Sequence, residues 1–273
     1  MSELAKRILV ALPAAALFLY LTWLGGWFLM GLIIVLGLIA VYESIELYNK
    51  CGLSPDRFFP YSMGLWILLL PDLPYRFHIG LALFLLFVIF QIAKTPETST
   101  RSFASTLFCG IYAPLGLLSF ILIRRMASGE EGFMLALILL LMVWGNDVFA
   151  YFGGKSLGKN LLAPTVSPKK TWEGFGFGFL GALAGVCIAL FLVPLAAPIS
   201  LLQSLPAVAL VGVVGPIGDL SVSKLKRAAG VKDTSHILPG HGGIFDRLDA
   251  LILAAPAYYL YLYGLKVLGY AAF

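Results

Sequence analysis

The chain reads as an all-α, polytopic integral membrane protein of about nine transmembrane helices with its N-terminus in the cytoplasm. Three observations carry that expectation. Of 273 residues, 60% are hydrophobic and only 12% charged, against roughly 45–50% and about 25% in soluble domains. So few charges cannot cover the surface of a soluble protein of this length. The apolar residues also fall in long runs, and the basic residues are split unevenly between alternate loops.

A bilayer core about 30 Å thick takes about 20 apolar residues per helix. Nine stretches approach that length, at roughly 8–24, 27–48, 59–71, 77–93, 103–123, 132–153, 174–194, 205–228 and 250–270. The first follows Lys6 and Arg7, which gives it a superficial likeness to a signal peptide. Trp23-Leu24-Gly25-Gly26-Trp27 leads straight into the second run, so a retained helix pair is expected. The third is short and meets Pro71, which predicts a tilted, broken or re-entrant segment. The sixth carries Asn146 and Asp147 in its last third. The seventh sets Gly174, Gly178, Gly181 and Gly185 on one side, a small-residue packing face rather than a phosphate loop. The eighth contains Pro216, Gly218 and Asp219, and the ninth opens after Asp246 and Asp249.

Orientation follows from the loops. With nine spans, fifteen of the 19 basic residues fall on the side of the N-terminus and four on the other. Positive residues are retained in the cytoplasm, so the N-terminus is expected inside and the C-terminus outside. Without the residues on the N-terminal side from Lys155 to Arg247 the asymmetry falls to six against four, so a site and the topology compete for the same charges. The formal charge of +5 is therefore read as membrane orientation and not as nucleic-acid binding, for which no polar face exists. Cys51, Cys109 and Cys187 lie far apart without a CxxC, which indicates neither a disulfide framework nor a zinc site.

Residues 1–140 are spans with short loops and little chemistry, expected to serve as scaffold and lipid access. Residues 141–273 hold the candidate catalytic region. Gly153 to Glu173 reads as a polar connection containing Lys155, Lys159 and Ser167-Pro168-Lys169-Lys170-Thr171, with a helix-capping signal before the seventh run. Residues 219–249 hold the densest charge in the chain. If the eighth helix continues, Asp219, Ser223, Lys226, Arg227 and Gly230 share one face. A carboxylate at the depth of Asp219 is expensive, which makes it a candidate functional group. Asp246 and Asp249 also admit a simple account as acids that complement the dipole of a helix N-terminus. Gly240-His241-Gly242-Gly243 can bring backbone N–H groups close to an anion. Carboxylates from two separate sources, flanked by Lys226, Arg227, Lys232 and Arg247, suit a Mg²⁺–polyphosphate complex, in which hard oxygens hold the metal and cations neutralise phosphate.

The pattern Ser223, Lys226-Arg227, Lys232-Asp233, Pro239-Gly240-His241-Gly242-Gly243, Asp246-Arg247 and Asp249, at these spacings, resembles the signature of the phosphatidate cytidylyltransferase (CDP-diacylglycerol synthase) family. Asp147 to Gly154 and Ser167 to Gly174 resemble its other recurrent segments. The resemblance implies a membrane nucleotidyltransferase of phospholipid biosynthesis that converts CTP and phosphatidate to CDP-diacylglycerol and pyrophosphate. It implies Asp219 and Asp246 as metal ligands, with Asp249 a third or supporting one. Three carboxylates exceed the needs of one Mg²⁺, which leaves room for a second cation. Lys226, Arg227 and Arg247 are then expected on phosphates, with Ser223 on metal or phosphate and Lys232 beside them. Lys169 and Lys170 are expected on the CTP triphosphate, and Asp147 on the nucleotide pocket, against a buried interhelical hydrogen bond. His241 is expected to contact phosphate or ribose, to structure its loop or to move a proton. A cell inner membrane location with the site facing the cytoplasm follows, and a homodimer is compatible with the resemblance.

Three rival readings stand beside it. A transporter or channel also carries intramembrane acids, but it spreads charge near mid-bilayer over several spans. Here the charges crowd the expected cytoplasmic ends of spans six, eight and nine. A CDP-alcohol phosphotransferase is disfavoured by the absence of its Asp-Gly-x-x-Ala-Arg motif. A CTP-dependent polyprenol kinase differs by adding a single phosphate to its lipid instead of CMP.

Overall fold

The computed structural model describes residues 3–193, 198–238, 240 and 242–271, of which residues 3–10 by their backbone alone. Among these residues nine α-helices follow one another: α1 (Glu3–Leu24), α2 (Gly26–Lys50), α3 (Phe58–Leu69), α4 (Arg76–Ile92), α5 (Pro96–Arg124), α6 (Gly129–Leu157), α7 (Trp172–Leu192), α8 (Leu201–Ala228) and α9 (Phe245–Val267). They fall on the nine apolar runs in order. Six of them, α2 and α5 to α9, are long and apolar enough to cross a membrane. The Ala11–Leu24 part of α1, α3 and α4 are shorter apolar helices. Helices close their own backbone hydrogen bonds, which is what a lipid solvent demands. Side chains such as Phe191 (83% exposed), Ile92 (77%) and Trp27 (70%) face outward, where a bilayer and not water is their natural medium.

One element breaks the helical pattern. The connection after α6 folds as an antiparallel hairpin of β1 (Leu161–Ala163) and β2 (Ser167–Thr171), with Leu161 opposite Thr171 and Ala163 opposite Ser167. Its turn is set by Pro164, whose fixed φ suits the second position of a tight turn; Val166 N–H donates to the Ala163 carbonyl at 3.1 Å. The expected polar connection is thus a small built structure.

The chain groups into two compact units that alternate along the sequence. Unit one comprises Met1–Phe18, Gly26–Leu118 and Leu225–Leu248, and unit two comprises Leu19–Gly25, Ser119–Lys224 and Asp249–Phe273.

In unit one, α2 packs on α3 and α3 on α4. Gly37 of α2 sits where a Cβ would come within 2.7 Å of Leu68 Cδ1, and Gly64 of α3 where one would meet Pro114 and Val41. Phe59 stands edge-on to Phe87 at 5.3 Å between ring centres, a geometry aromatic rings favour.

In unit two, α6 and α7 form the closest pair. A Cβ on Gly181 would run into the Gly145 carbonyl, and one on Gly185 into that of Leu141. Gly178 makes room for Asn146, and Gly174 lies against Ala150 and Gly154. The glycine face expected on the seventh run is therefore an interhelical packing face, which lets backbones approach as only glycine allows. At the other end of this unit, Arg124 caps α1. Its Nε donates to the Thr22 carbonyl at 2.8 Å and its Nη2 to that of Trp23 at 3.0 Å, satisfying helix-end carbonyls that have no partner within the helix.

Candidate active site

Unit two contains a cavity of about 670 Å³ walled by the second half of α6, the hairpin, the first turn of α7 and the middle of α8. Each wall has a local cause. Thr171 has extended backbone and accepts from Gly174 N–H at 3.1 Å, capping α7. Glu173 does not turn back to that cap. It accepts from the Lys159 N–H at 3.1 Å and from Asn160 Nδ2 at 2.8 Å, tying the start of the hairpin to α7. In α8, Pro216 lines the cavity and removes one helical donor. Gly218 allows α8 to meet the Asp249 carbonyl, into which a Cβ would run.

These elements bring together residues far apart in sequence. Lys170 Nζ of β2 lies 2.6 Å from Asp219 Oδ2 of α8, with the two side chains 27% and 28% exposed. Ser223, one turn along α8, donates to Asp219 Oδ1 at 3.0 Å. Asp147, Tyr151, Gly154 and Lys169 line the same cavity. So does Asn146, which is buried to 2% exposure. Among the described residues neither its Oδ1 nor its Nδ2 has a hydrogen-bond partner, an uncommon and costly state for a buried amide. The cavity thus offers three lysines (Lys155, Lys169 and Lys170), two carboxylates and an uncommitted amide, a lining suited to a polar, anionic ligand.

Unit one holds a second cluster, which is buried. Lys226 Nζ donates to Asp246 Oδ1 at 2.6 Å, and both residues are under 10% exposed. Asp246 Oδ2 accepts from the Thr234 N–H at 2.8 Å, the Thr234 hydroxyl at 2.9 Å and the Gly243 N–H at 3.1 Å. Charge-assisted bonds of this kind are stronger than neutral ones. Gly242 has φ +78°, and a Cβ there would lie 2.8 Å from Asp246 Oδ2, so glycine is required on both counts.

The sequence reading missed one member of this cluster. Glu43 of α2 is fully buried, and its carboxylate accepts from the hydroxyls of Thr234 (2.9 Å) and Ser235 (2.5 Å) and the N–H groups of Ile244 (3.0 Å) and Phe245 (2.7 Å). The available signal was an ionisable residue inside an apolar run. In the glycine-rich loop the Gly243 N–H turns toward Asp246, and the N–H groups of Ile244 and Phe245 that follow it turn toward Glu43.

The remaining expected residues are placed as follows. Lys226 and Arg227 lie in the last turn of α8, which stops at Ala228, and Gly230 (φ +68°) lies beyond it. Val231 N–H donates to the Lys226 carbonyl and Gly230 N–H to that of Arg227, a glycine-terminated helix end. Gly230 therefore terminates the stripe and does not extend it. Arg227, Lys232 and Arg247 are exposed, and Arg227 Nη1 donates to the Val231 carbonyl at 3.1 Å. Asp249 is half-buried, with Oδ1 accepting from the Ala250 N–H at 2.7 Å. His241 lies outside the described residues. Among the described residues no three His, Cys, Asp or Glu side chains group as a metal site; Mg²⁺ commonly takes only one or two carboxylates and completes its shell with phosphate and water.

Comparison with known proteins agrees with this chemistry. The sequence profile of the Cytidylyltransferase family matches residues 5–265. The chain is 38% identical over 267 residues to the phosphatidate cytidylyltransferase of Brucella abortus biovar 1 (strain 9-941), covering 96% of this chain and 94% of that one. It is 33% identical over 274 residues to that of Bacillus subtilis (strain 168), covering 96% and 98%. A shorter stretch of 124 residues is 44% identical to that of Pseudomonas aeruginosa, covering 45% of each chain. With a profile match over nearly its whole length and relatives at this identity and coverage, the chain belongs to the cytidylyltransferase family.

Proposed function

We propose that this membrane protein is a phosphatidate cytidylyltransferase, converting CTP and phosphatidate to CDP-diacylglycerol and pyrophosphate. The observation that carries the site assignment is the part-exposed Lys170–Asp219 pair inside the 670 Å³ cavity. A phosphate oxygen of the lipid attacks the α-phosphorus of CTP, and pyrophosphate leaves. That oxygen is already anionic near neutral pH, so the protein has to bring two anions together and needs no strong base. Positioning and cationic offset of charge therefore dominate.

Lys169 and Lys170 take the CTP triphosphate, with Asp147 beside the nucleotide. Ser223 orients the Asp219 carboxylate. Lys226, Arg227, Lys232 and Arg247 serve phosphate oxygens of CTP or of the lipid. An ammonium has three donors, and Asp246 takes one from Lys226 among the described residues. His241 and Gly242 contact phosphate or ribose, while the Gly243 N–H is committed to Asp246.

The donor chemistry fits Mg²⁺. Asp219 and Asp246 are hard oxygen ligands, and each already draws an ammonium to 2.6 Å. Asp219, Asp246 and Asp249 are assigned to magnesium, with room for a second cation. Bound magnesium would offset charge on the phosphate oxygens and the leaving pyrophosphate.

The full arrangement has nine spans, with the N-terminus and the reacting residues on the cytoplasmic side of the cell inner membrane. Residues 1–140 supply scaffold and lipid access, and a homodimer is the proposed assembly. Reconstituted protein tests the reaction. Pyrophosphate and CDP-diacylglycerol should form from CTP only with both phosphatidate and Mg²⁺ present. A lipid that gains a single phosphate, or no pyrophosphate from folded protein, overturns it.

A further inference from the structure

Among the described residues, Glu43 is the one fully buried acid in unit one that the reaction as described does not use. Its four partners are neutral donors drawn from both ends of a single segment. Thr234 and Ser235 begin that segment, and Ile244 and Phe245 close it onto α9, 191 to 202 residues from Glu43 in sequence. One carboxylate therefore ties the start of the loop to the first turn of the helix that carries Asp246. A buried carboxylate without partners is very costly, so the four bonds act as a matched set.

Glu43 and Asp246 are also joined through one residue, Thr234. The Thr234 hydroxyl lies 2.9 Å from Glu43 Oε2 and 2.9 Å from Asp246 Oδ2, and a hydroxyl has a single proton to give. With that proton given to Glu43 Oε2, Thr234 still holds Asp246 Oδ2 through its own N–H at 2.8 Å, so the placement of Thr234, and through it of Asp246, depends on Glu43. Gly243 belongs to the same device. A Cβ there would lie 2.5 Å from both Glu43 oxygens and would overlap the Thr234 hydroxyl.

We propose that Glu43 is a positioning residue for cytidylyl transfer, holding Thr234, Ser235, Ile244 and Phe245 so that Asp246 keeps its orientation. The proposal rests on the reading that Asp246 belongs to the reaction machinery. Glutamine has nearly the same volume, but its NH₂ would face donors. If it replaces Oε1, Ser235 and Ile244 lose their acceptor; if Oε2, Thr234 and Phe245 do.

The test uses full-length protein in phospholipid–detergent micelles with Glu43→Gln, Thr234→Val and the double variant, and Asp246→Asn alongside. Glu43→Gln should lower kcat by about tenfold or more, the scale of lost bonds to a charged group, with the KM for CTP little changed. The double variant should be no slower than the slower single, because both substitutions break one linkage. A kcat within about twofold of the unsubstituted protein overturns the proposal, as do losses that multiply in the double variant. If Glu43→Gln does not accumulate in folded form, Thr234→Val decides. A drop in kcat at an unchanged melting temperature supports the proposal, and an unchanged kcat overturns it. Full activity of Asp246→Asn would instead remove Asp246 from the reaction, a separate failure visible in its own variant.

Discussion

The Lys170–Asp219 and Lys226–Asp246 pairs close to the same 2.6 Å, yet they sit in different solvents. The side chains of the first are 27% and 28% exposed and border a large cavity; those of the second are 10% and 4% exposed and share their carboxylate with three further donors. A part-exposed pair beside an open cavity is weakened by solvent toward the roughly 0–1 kcal/mol of surface pairs, so a ligand can open it at lower cost than a buried one. A buried pair is different. Removing one partner strands the other charge, at a cost of about 3–5 kcal/mol. Equal distances thus describe a replaceable contact in one unit and a fixed one in the other.

The comparison can be broken at several points. Asp246→Asn should have the largest effect on the fold, about 3–5 kcal/mol from the stranded Lys226 ammonium, read as a lowered melting temperature in detergent. An unchanged melting temperature would show that the buried pair fixes nothing. Asp219→Asn should leave melting and membrane insertion nearly unchanged while reducing turnover by at least about a hundredfold, the scale of losing one preorganised electrostatic group. Near-normal turnover at saturating Mg²⁺ would take it out of the site.

Lys226→Ala sharpens the contrast within the buried cluster. Asp246 keeps its bonds from Thr234 and Gly243, so the stability loss should be smaller than for Asp246→Asn, with a raised KM for CTP or phosphatidate as the kinetic signature. If both dependences are unchanged, the lysine is structural or topological. Lys170→Ala should raise the KM for CTP by about tenfold, from one lost charge-assisted contact, with little change in melting. The smallest effect is that of salt. Moderate ionic strength should weaken CTP binding at the exposed lysines, while the melting temperature set by the buried pair should respond less.

The helices were legible because a lipid-facing helix must be a long apolar run, and all nine runs became helices. The α7 glycines were legible for a similar reason, since their spacing alone defines a face. The hairpin was not, because its three- and five-residue strands carry no usable periodicity. Asp219, Ser223, Lys226 and Asp246 could be picked out by depth, charge density and motif. Their partners could not all be read this way. Lys170 meets Asp219 only through the hairpin, and Glu43 meets Thr234 across 191 residues. The motif glycines were read as open to a ligand, whereas the Gly243 N–H is taken by the protein's own Asp246.

The most direct test pairs turnover with melting in Asp219→Asn. With CTP, phosphatidate and saturating Mg²⁺, the account predicts essentially no pyrophosphate release from a protein that melts like the unsubstituted one. Release at a comparable rate would contradict it.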